Sequence, residues 1–171
     1  MALTSRFGLD IQANYSSALD LVTAQANMLK SYSAVLATGT GAGQADKIFS
    51  DTRTLAASAS EDLDLIGTTL LDAFGAVVTF TKIKALIVSA AAANTNNVLV
   101  GGVASGLSTI LVPAATGIMT VRPGATFAVF AGQADATGYG VTATTADLLH
   151  IANSAGSTSV TFDIIIVGTS A

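Results

Sequence analysis

The ten residues 159–168, SVTFDIIIVG, restrict the fold more than any other part of the chain. β-Branched and aromatic side chains crowd this run, and they fit a pleated, half-buried surface better than a helix. Val160, Phe162, Ile164 and Ile166 fall on one face at period two. Thr161 and Asp163 fall on the other face, which turns apolar at Ile165 and Val167. Such a strand starts at a wet surface and runs into an interior covered on both sides. Just upstream, residues 148–152 (LLHIA) read as a further strand, and Asn153, Ser154, Gly156 and Ser157 supply a chain reversal between the two. The expectation is a terminal hairpin, with the rest of the chain providing more sheet to pack against it.

The upstream pattern agrees with that demand. Residues 6–15 alternate Phe7, Leu9 and Ile11 with Gly8, Asp10 and Gln12, which suggests a first strand. Residues 17–37 support two readings. As a helix, Ala18, Leu21, Val22, Met28, Leu29 and Tyr32 form a stripe, Ser17 caps it, Asp20 takes the capping-box position and Gly39 ends it. As strands, residues 19–21 and 32–35 are short edges around a polar middle. The helical pattern is slightly the better match. Residues 38–45 (TGTGAGQA) are a loop or hinge, because so much glycine costs entropy inside an element. Further strands are expected at 47–55, around Leu63 and Leu65, and at 77–80, 83–89, 98–103, 107–112, 118–122, 125–130 and 141–145. Phe74-Gly75, Asn94 to Asn97 and Pro123-Gly124 mark turns between them, and Pro113 suits a strand end or an edge. Many short strands with turn signals between them give a mainly β fold, an antiparallel β-sandwich of jelly-roll type. Residues 1–45 would be an N-terminal arm, extended or partly helical, with the first elements. Residues 46–171 would be the sandwich.

Composition narrows the class of function. Charged residues make up 11% of the 171 residues, against about 25% in ordinary soluble domains. After Lys84 only Arg122, Asp135, Asp147 and Asp163 carry a full charge, with His150 as a candidate fifth. Either Thr, Ser, Asn and Gly keep this surface wet, or other chains cover it. The composition suits a subunit of a large assembly. A net charge of −4 with no cationic cluster argues against nucleic acid as a partner. Residues 98–119 are uncharged and long enough to span a bilayer. Gly101-Gly102, Gly106, Pro113, Gly117 and the lack of flanking Lys or Arg argue against a membrane helix. The absence of cysteine excludes disulfides and thiolate chemistry. Residues 1–10 lack the apolar core of a secretion signal, so a cytoplasmic origin is expected.

No constellation points to catalysis. Glu61-Asp62-Leu63-Asp64 offers oxygens to a hard cation but lacks the glycine and distal glutamate of a calcium loop, and it reads better as a solvated strand face. The glycines from Gly39 to Gly43 lack the Lys-Ser or Lys-Thr of a phosphate loop. His150, the only histidine, stands mid-strand with no Gly-x-Ser-x-Gly elbow elsewhere. Asp135 and Asp163 as paired glycosidase acids would lack a tryptophan platform. No catalytic residue, cofactor, metal or small-molecule substrate is therefore expected. Arg53 and Arg122 stand in strand contexts poor in other charge. Each suits either a pair with a partner's carboxylate or an exposed strand end.

From about Gly41 onward, several segments resemble small virion structural proteins of tailed bacteriophages. They are TRTLA at 52–56, EDLDL at 61–65, FTKIK at 80–84, NTNN at 94–97, VRPG at 121–124, and ANS at 152–154 with FDIII at 162–166. The resemblance implies a β-sandwich that associates with itself, as a dimer or trimer, and with the major capsid protein. A capsid cement (decoration) protein, made in the bacterial cytoplasm and located in the virion, is the role it suggests first. A tail or baseplate component, which could bind carbohydrate through Tyr139, is the alternative. On either role the expected partner contacts are the arm residues Phe7, Leu9 and Ile11, together with Arg53 and Arg122.

Overall fold

The computed structural model describes residues 2–112 and 116–171. Twelve strands follow one another: β1 (Ser5–Ala18), β2 (Thr23–Thr38), β3 (Gln44–Ala45), β4 (Lys47–Leu55), β5 (Ser60–Asp64), β6 (Lys82–Ala90), β7 (Val98–Gly101), β8 (Ile118–Val121), β9 (Thr126–Phe130), β10 (Tyr139–Gly140), β11 (Leu148–Asn153) and β12 (Val160–Thr169). There is no helix among the described residues, and all strand pairs are antiparallel except the short β2–β3 contact. Pro113 lies outside the described residues. Of the uncharged stretch around it, the described residues are strand at β7 and β8 and otherwise turns, bends and irregular chain with an isolated bridge at Gly106. Among the described residues no helix is long and apolar enough to cross a membrane.

The strands form three sheets. β1 and β2 make a long hairpin that β3 joins at its foot. A five-stranded sheet runs β10-β6-β12-β4, with β9 also on β6. A four-stranded sheet runs β5-β11-β7-β8. The two larger sheets share one buried cluster. β12 contributes Val160, Phe162, Ile164 and Ile166, and β6 contributes Leu86 and Val88. Leu63, Val98, Val100, Leu149 and Ile151 come from the facing sheet. The period-two pattern of residues 159–168 thus corresponds to the innermost strand, paired with β4 on one side and β6 on the other.

Several expected elements take another form. Residues 23–38 are strand, not helix. Ala24, Ala26, Met28, Tyr32, Ala34 and Leu36 share one face, and each sits opposite a residue of β1 along fourteen rungs. Alanine, methionine and leucine favour a helix locally, but pairing with an amphipathic neighbour overrides so weak a preference. Residues 19–21 are the tip of this hairpin, not an edge strand. Residues 107–112 form turns, with the Ile110 and Leu111 amides donating to the Leu107 carbonyl. Residues 77–80 and 141–145 are irregular apart from isolated bridges.

The terminal hairpin does not form. β11 pairs with β5 and β7, while β12 lies in the other sheet. The same crossing separates β6 from β7 and β8 from β9. Turn residues specify a reversal without choosing the partner; burying both apolar faces against one core sends the returning strand to the opposite sheet. Pro123-Gly124 shows the local chemistry. Proline fixes the first central position, Gly124 adopts φ 73°, and the Ala125 amide donates to the Arg122 carbonyl at 2.9 Å, a type II turn. Gly124 N then donates to Ala90 O at 3.1 Å, which ties this crossing to the end of β6.

Candidate interaction surface

The hairpin's two faces differ sharply. Residues opposite one another in an antiparallel pair project to the same side. One side carries the pairs Ser5/Leu36, Phe7/Ala34, Leu9/Tyr32, Ile11/Lys30, Ala13/Met28, Tyr15/Ala26 and Ser17/Ala24. The other carries Arg6, Gly8, Asp10, Gln12, Asn14 and Ser16 from β1, against Val35, Ser33, Ser31, Leu29, Asn27 and Gln25 from β2. The first face is apolar with Lys30 as its single charge; the second is mostly polar.

Only the foot of the apolar face is covered. Leu36 is buried in a second cluster with Ala45, Ala85 and Val167, against which Leu3, Phe7, Phe130 and Ile165 pack. Phe7 stacks on Phe130 with ring centroids 6.3 Å apart. Beyond that rung the face is open. Leu9 is 52% exposed, Ile11 40% and Tyr15 78%. The tip, residues 19–22, closes through a 2.9 Å bond from Leu19 N to Val22 O and leaves Leu21 fully exposed at 100%. A projecting hairpin with an unburied apolar face is the kind of surface monomers avoid and assemblies use. Beside its foot lies a cleft of about 370 Å³ that includes Leu3, Lys47, Ile48, Phe74 and Val77.

The expected contact residues thus fall in different places. Phe7 is engaged with the body, while Leu9 and Ile11 are exposed. Arg53 points to the shared core at the edge strand β4. Its Nη1 donates to Glu61 Oε2 at 2.7 Å, and its Nε lies 3.1 Å from Asp51 Oδ2, near enough for an ion pair but outside hydrogen-bond alignment. Phe49 lies against the same guanidinium, 5.8 Å from its ring centroid. Arg53 therefore spends its charge on linking β4 to β5 across the two sheets. Arg122 is exposed in the turn after β8 and forms no ion pair among the described residues.

The acidic run around β5 is divided among separate tasks. Glu61 meets Arg53. Asp62 Oδ1 lies 2.6 Å from His150 Nδ1 on the outer side of the sheet. Asp64 accepts from the Ile66 and Gly67 amides at 3.0 and 2.8 Å, closing a turn. Asp163 accepts from the Thr52 hydroxyl at 2.6 Å. Tyr139, expected on an exposed loop, is instead the half-buried start of β10, paired with Ile83 and packed on the core.

One buried group escaped the reading of the sequence. Lys84 is fully buried, and its Nζ donates to the Asp135 carbonyl at 2.7 Å. Burial holds its pKa below the usual lysine value, Asp135 opposes that effect, and Lys82 adds to it. The Asp135 carboxylate in turn accepts from the Thr137 hydroxyl and from the Gly138 and Thr137 amides, and these bonds hold its pKa below the usual carboxylate value. Residues 132–138 are thereby folded over the lysine. The signal available was the second lysine of β6, set between Ile83 and Ala85 where the strand has turned apolar. No protein family, no curated protein and no solved structure matches this chain.

Proposed function

We propose that the chain is a non-enzymatic structural protein of a tailed-phage virion, a cement protein that binds the outside of the head shell. On this reading the two larger sheets are the faces of a β-sandwich, and the β1–β2 hairpin is the arm that grips neighbouring subunits. The observation that carries it is the open apolar face of that arm. Its burial on a partner supplies roughly 25 cal/mol per Å² of apolar surface, with no rearrangement of the body. The scarcity of charge supports the same role, since a shell-bound subunit needs few ions to stay dispersed. Sheet edges and the arm can add backbone hydrogen bonds to a partner strand. A repeated lattice turns modest single contacts into retention by avidity.

The test is the protein content of particles produced from the same genome. The chain should be present in many copies, and electron microscopy should place it on the head exterior. A variant with residues 11–30 replaced by an Asn-Gly turn keeps the Phe7 and Leu36 foot and should lose head occupancy while remaining folded. Absence from purified particles overturns the assignment, a tail position moves it to the baseplate, and full occupancy by the shortened variant removes the arm from it.

A further inference from the structure

The outer face of the five-stranded sheet is the counterpart of the hairpin's open face. Register places Thr54, Thr52, Ser50 and Ile48 of β4 on it, beside Thr161, Asp163, Ile165 and Val167 of β12. Ser89, Ile87 and Ala85 of β6, then Thr126, Ala128 and Phe130 of β9, complete it. The chain's own hairpin foot covers the row Val167, Ala85 and Phe130. The next row, Ser50, Ile165, Ile87 and Ala128, is uncovered or only half-buried. Among all these positions Asp163 is the single charge. Beside it lies a shallow depression of about 370 Å³ lined by Ser50, Asp51, Thr52, Asp163, Ile164 and Ile165.

We propose that the outer half of the hairpin from one copy of this chain packs across this sheet face of a second copy, with Lys30 paired to Asp163. Three observations select a second copy as the occupant. The first is charge: one cation on the otherwise apolar hairpin face meets one anion on the otherwise uncharged sheet face, and Lys30 forms no ion pair within the chain among the described residues. The second is continuity. The intrachain contact already seats the foot of this hairpin face on this sheet face, so the apolar chemistry of the two is matched over Phe7, Leu36, Val167 and Phe130. The third is dimension. Same-face rungs lie about 7 Å apart, so the rungs of Leu9, Ile11 and Ala13 span about 14 Å. Four strands at about 4.8 Å spacing span the same distance. Lys30, on the middle rung, then falls over the inner strands of the sheet, where β12 carries Asp163.

Donor and acceptor surfaces differ, so the contact is either exchanged between two copies or closed into a ring. This inference deepens the self-association expected of the cement protein and stands apart from the choice of shell. A chain that assembles this way yet binds no head keeps the inference and loses the function proposed above.

Light scattering after size exclusion tests it. The wild-type chain should have a mass above 17.0 kDa that rises with concentration to a fixed multiple. Lys30→Glu and Asp163→Lys should each weaken association about tenfold. The double variant should restore it, and circular dichroism should show all of them folded. A wild-type monomer at every concentration overturns the proposal. So does a double variant no better than the single ones.

Discussion

Phe7 and Phe130 stack nearly parallel, with an interplanar angle of 18°, where the hairpin foot crosses the edge of the five-stranded sheet. The contact joins the third residue of β1 to the last residue of β9. It is where a free-standing hairpin becomes part of the body. Fully buried phenylalanines lose about 3–5 kcal/mol on truncation to alanine, and Phe130 is half-buried. Phe130→Ala should therefore cost about 1–2 kcal/mol. The larger effect should be local: amide exchange in β1 and β2 should speed up while β12 keeps its protection. Equal loss of protection in β12 would show that the ring supports the main core instead.

The crossing between β11 and β12 is held by a polar cluster. Asn153 Nδ2 donates to the carbonyls of Ala56 and Thr158 at 3.0 and 2.7 Å. Its Oδ1 accepts from Asn96 Nδ2 at 3.1 Å and from the Ala155 amide at 3.3 Å. Both asparagines are buried, so removing one leaves its partners without water to replace it. Asn153→Ala should cost about 2–3 kcal/mol in denaturant unfolding. Asn153→Asp should cost at least as much, because it buries a charge that faces two carbonyl oxygens. A loss under about 0.5 kcal/mol for both variants would mean that the crossing is set by the strands alone.

The strand content of the chain was legible where alternation was strong. Residues 47–55 match β4 to the residue, and the two faces of β12 are as the pattern of Val160 to Val167 implies. Pairing was not legible. Asn153 and Ser154, Asn94 to Asn97, and Pro123-Gly124 all read as hairpin turns, and all three lead from one sheet to the other. A turn motif encodes local backbone angles, whereas the choice of partner depends on which apolar face needs covering. The β1–β2 hairpin was half legible. Phe7, Leu9 and Ile11 announced β1, but the alanines of β2 carry a helical preference that only the register with β1 reverses. Arg53 was legible as an unusual charge but not as an intrachain one, because its partner Glu61 lies across the core in the opposite sheet.

Lys84 gives the fold a pH dependence with a definite sign. Burial lowers its pKa from the usual 10.5, so over a range below that value the unfolded chain binds a proton that the folded chain binds less readily. Stability rises with pH wherever the unfolded state holds more protons. The contribution of Lys84 should therefore grow more favourable as pH climbs from the depressed folded value toward 10.5. Lys84→Met removes this group and keeps most of its volume. The stability difference between wild type and Lys84→Met, measured in urea at several pH values up to 10, should shift in favour of the wild type as pH rises. A flat difference would show that the ammonium is as well solvated as in the unfolded chain.

The Arg53–Glu61 pair should couple the two sheets at the edge where β4 and β5 both lie outermost. Its 2.7 Å bond connects half-buried side chains. Exposed pairs give about 0.2–1 kcal/mol in mutant cycles, and partial burial with Phe49 against the guanidinium places this one at the upper end. A cycle of Arg53→Gln, Glu61→Gln and both together should return a coupling of about 1 kcal/mol. Asp51 limits the loss in Glu61→Gln, since it leaves Arg53 a second carboxylate, whereas Arg53→Gln leaves Glu61 with none nearby. The arginine variant should therefore be the less stable of the two single variants. In about 1 M salt the coupling should fall only partly, because the Debye length of about 3 Å screens exposed charges more than sheltered ones. A coupling near zero at low salt would reduce Arg53 to an exposed strand-end charge, and would free it for a contact outside the chain.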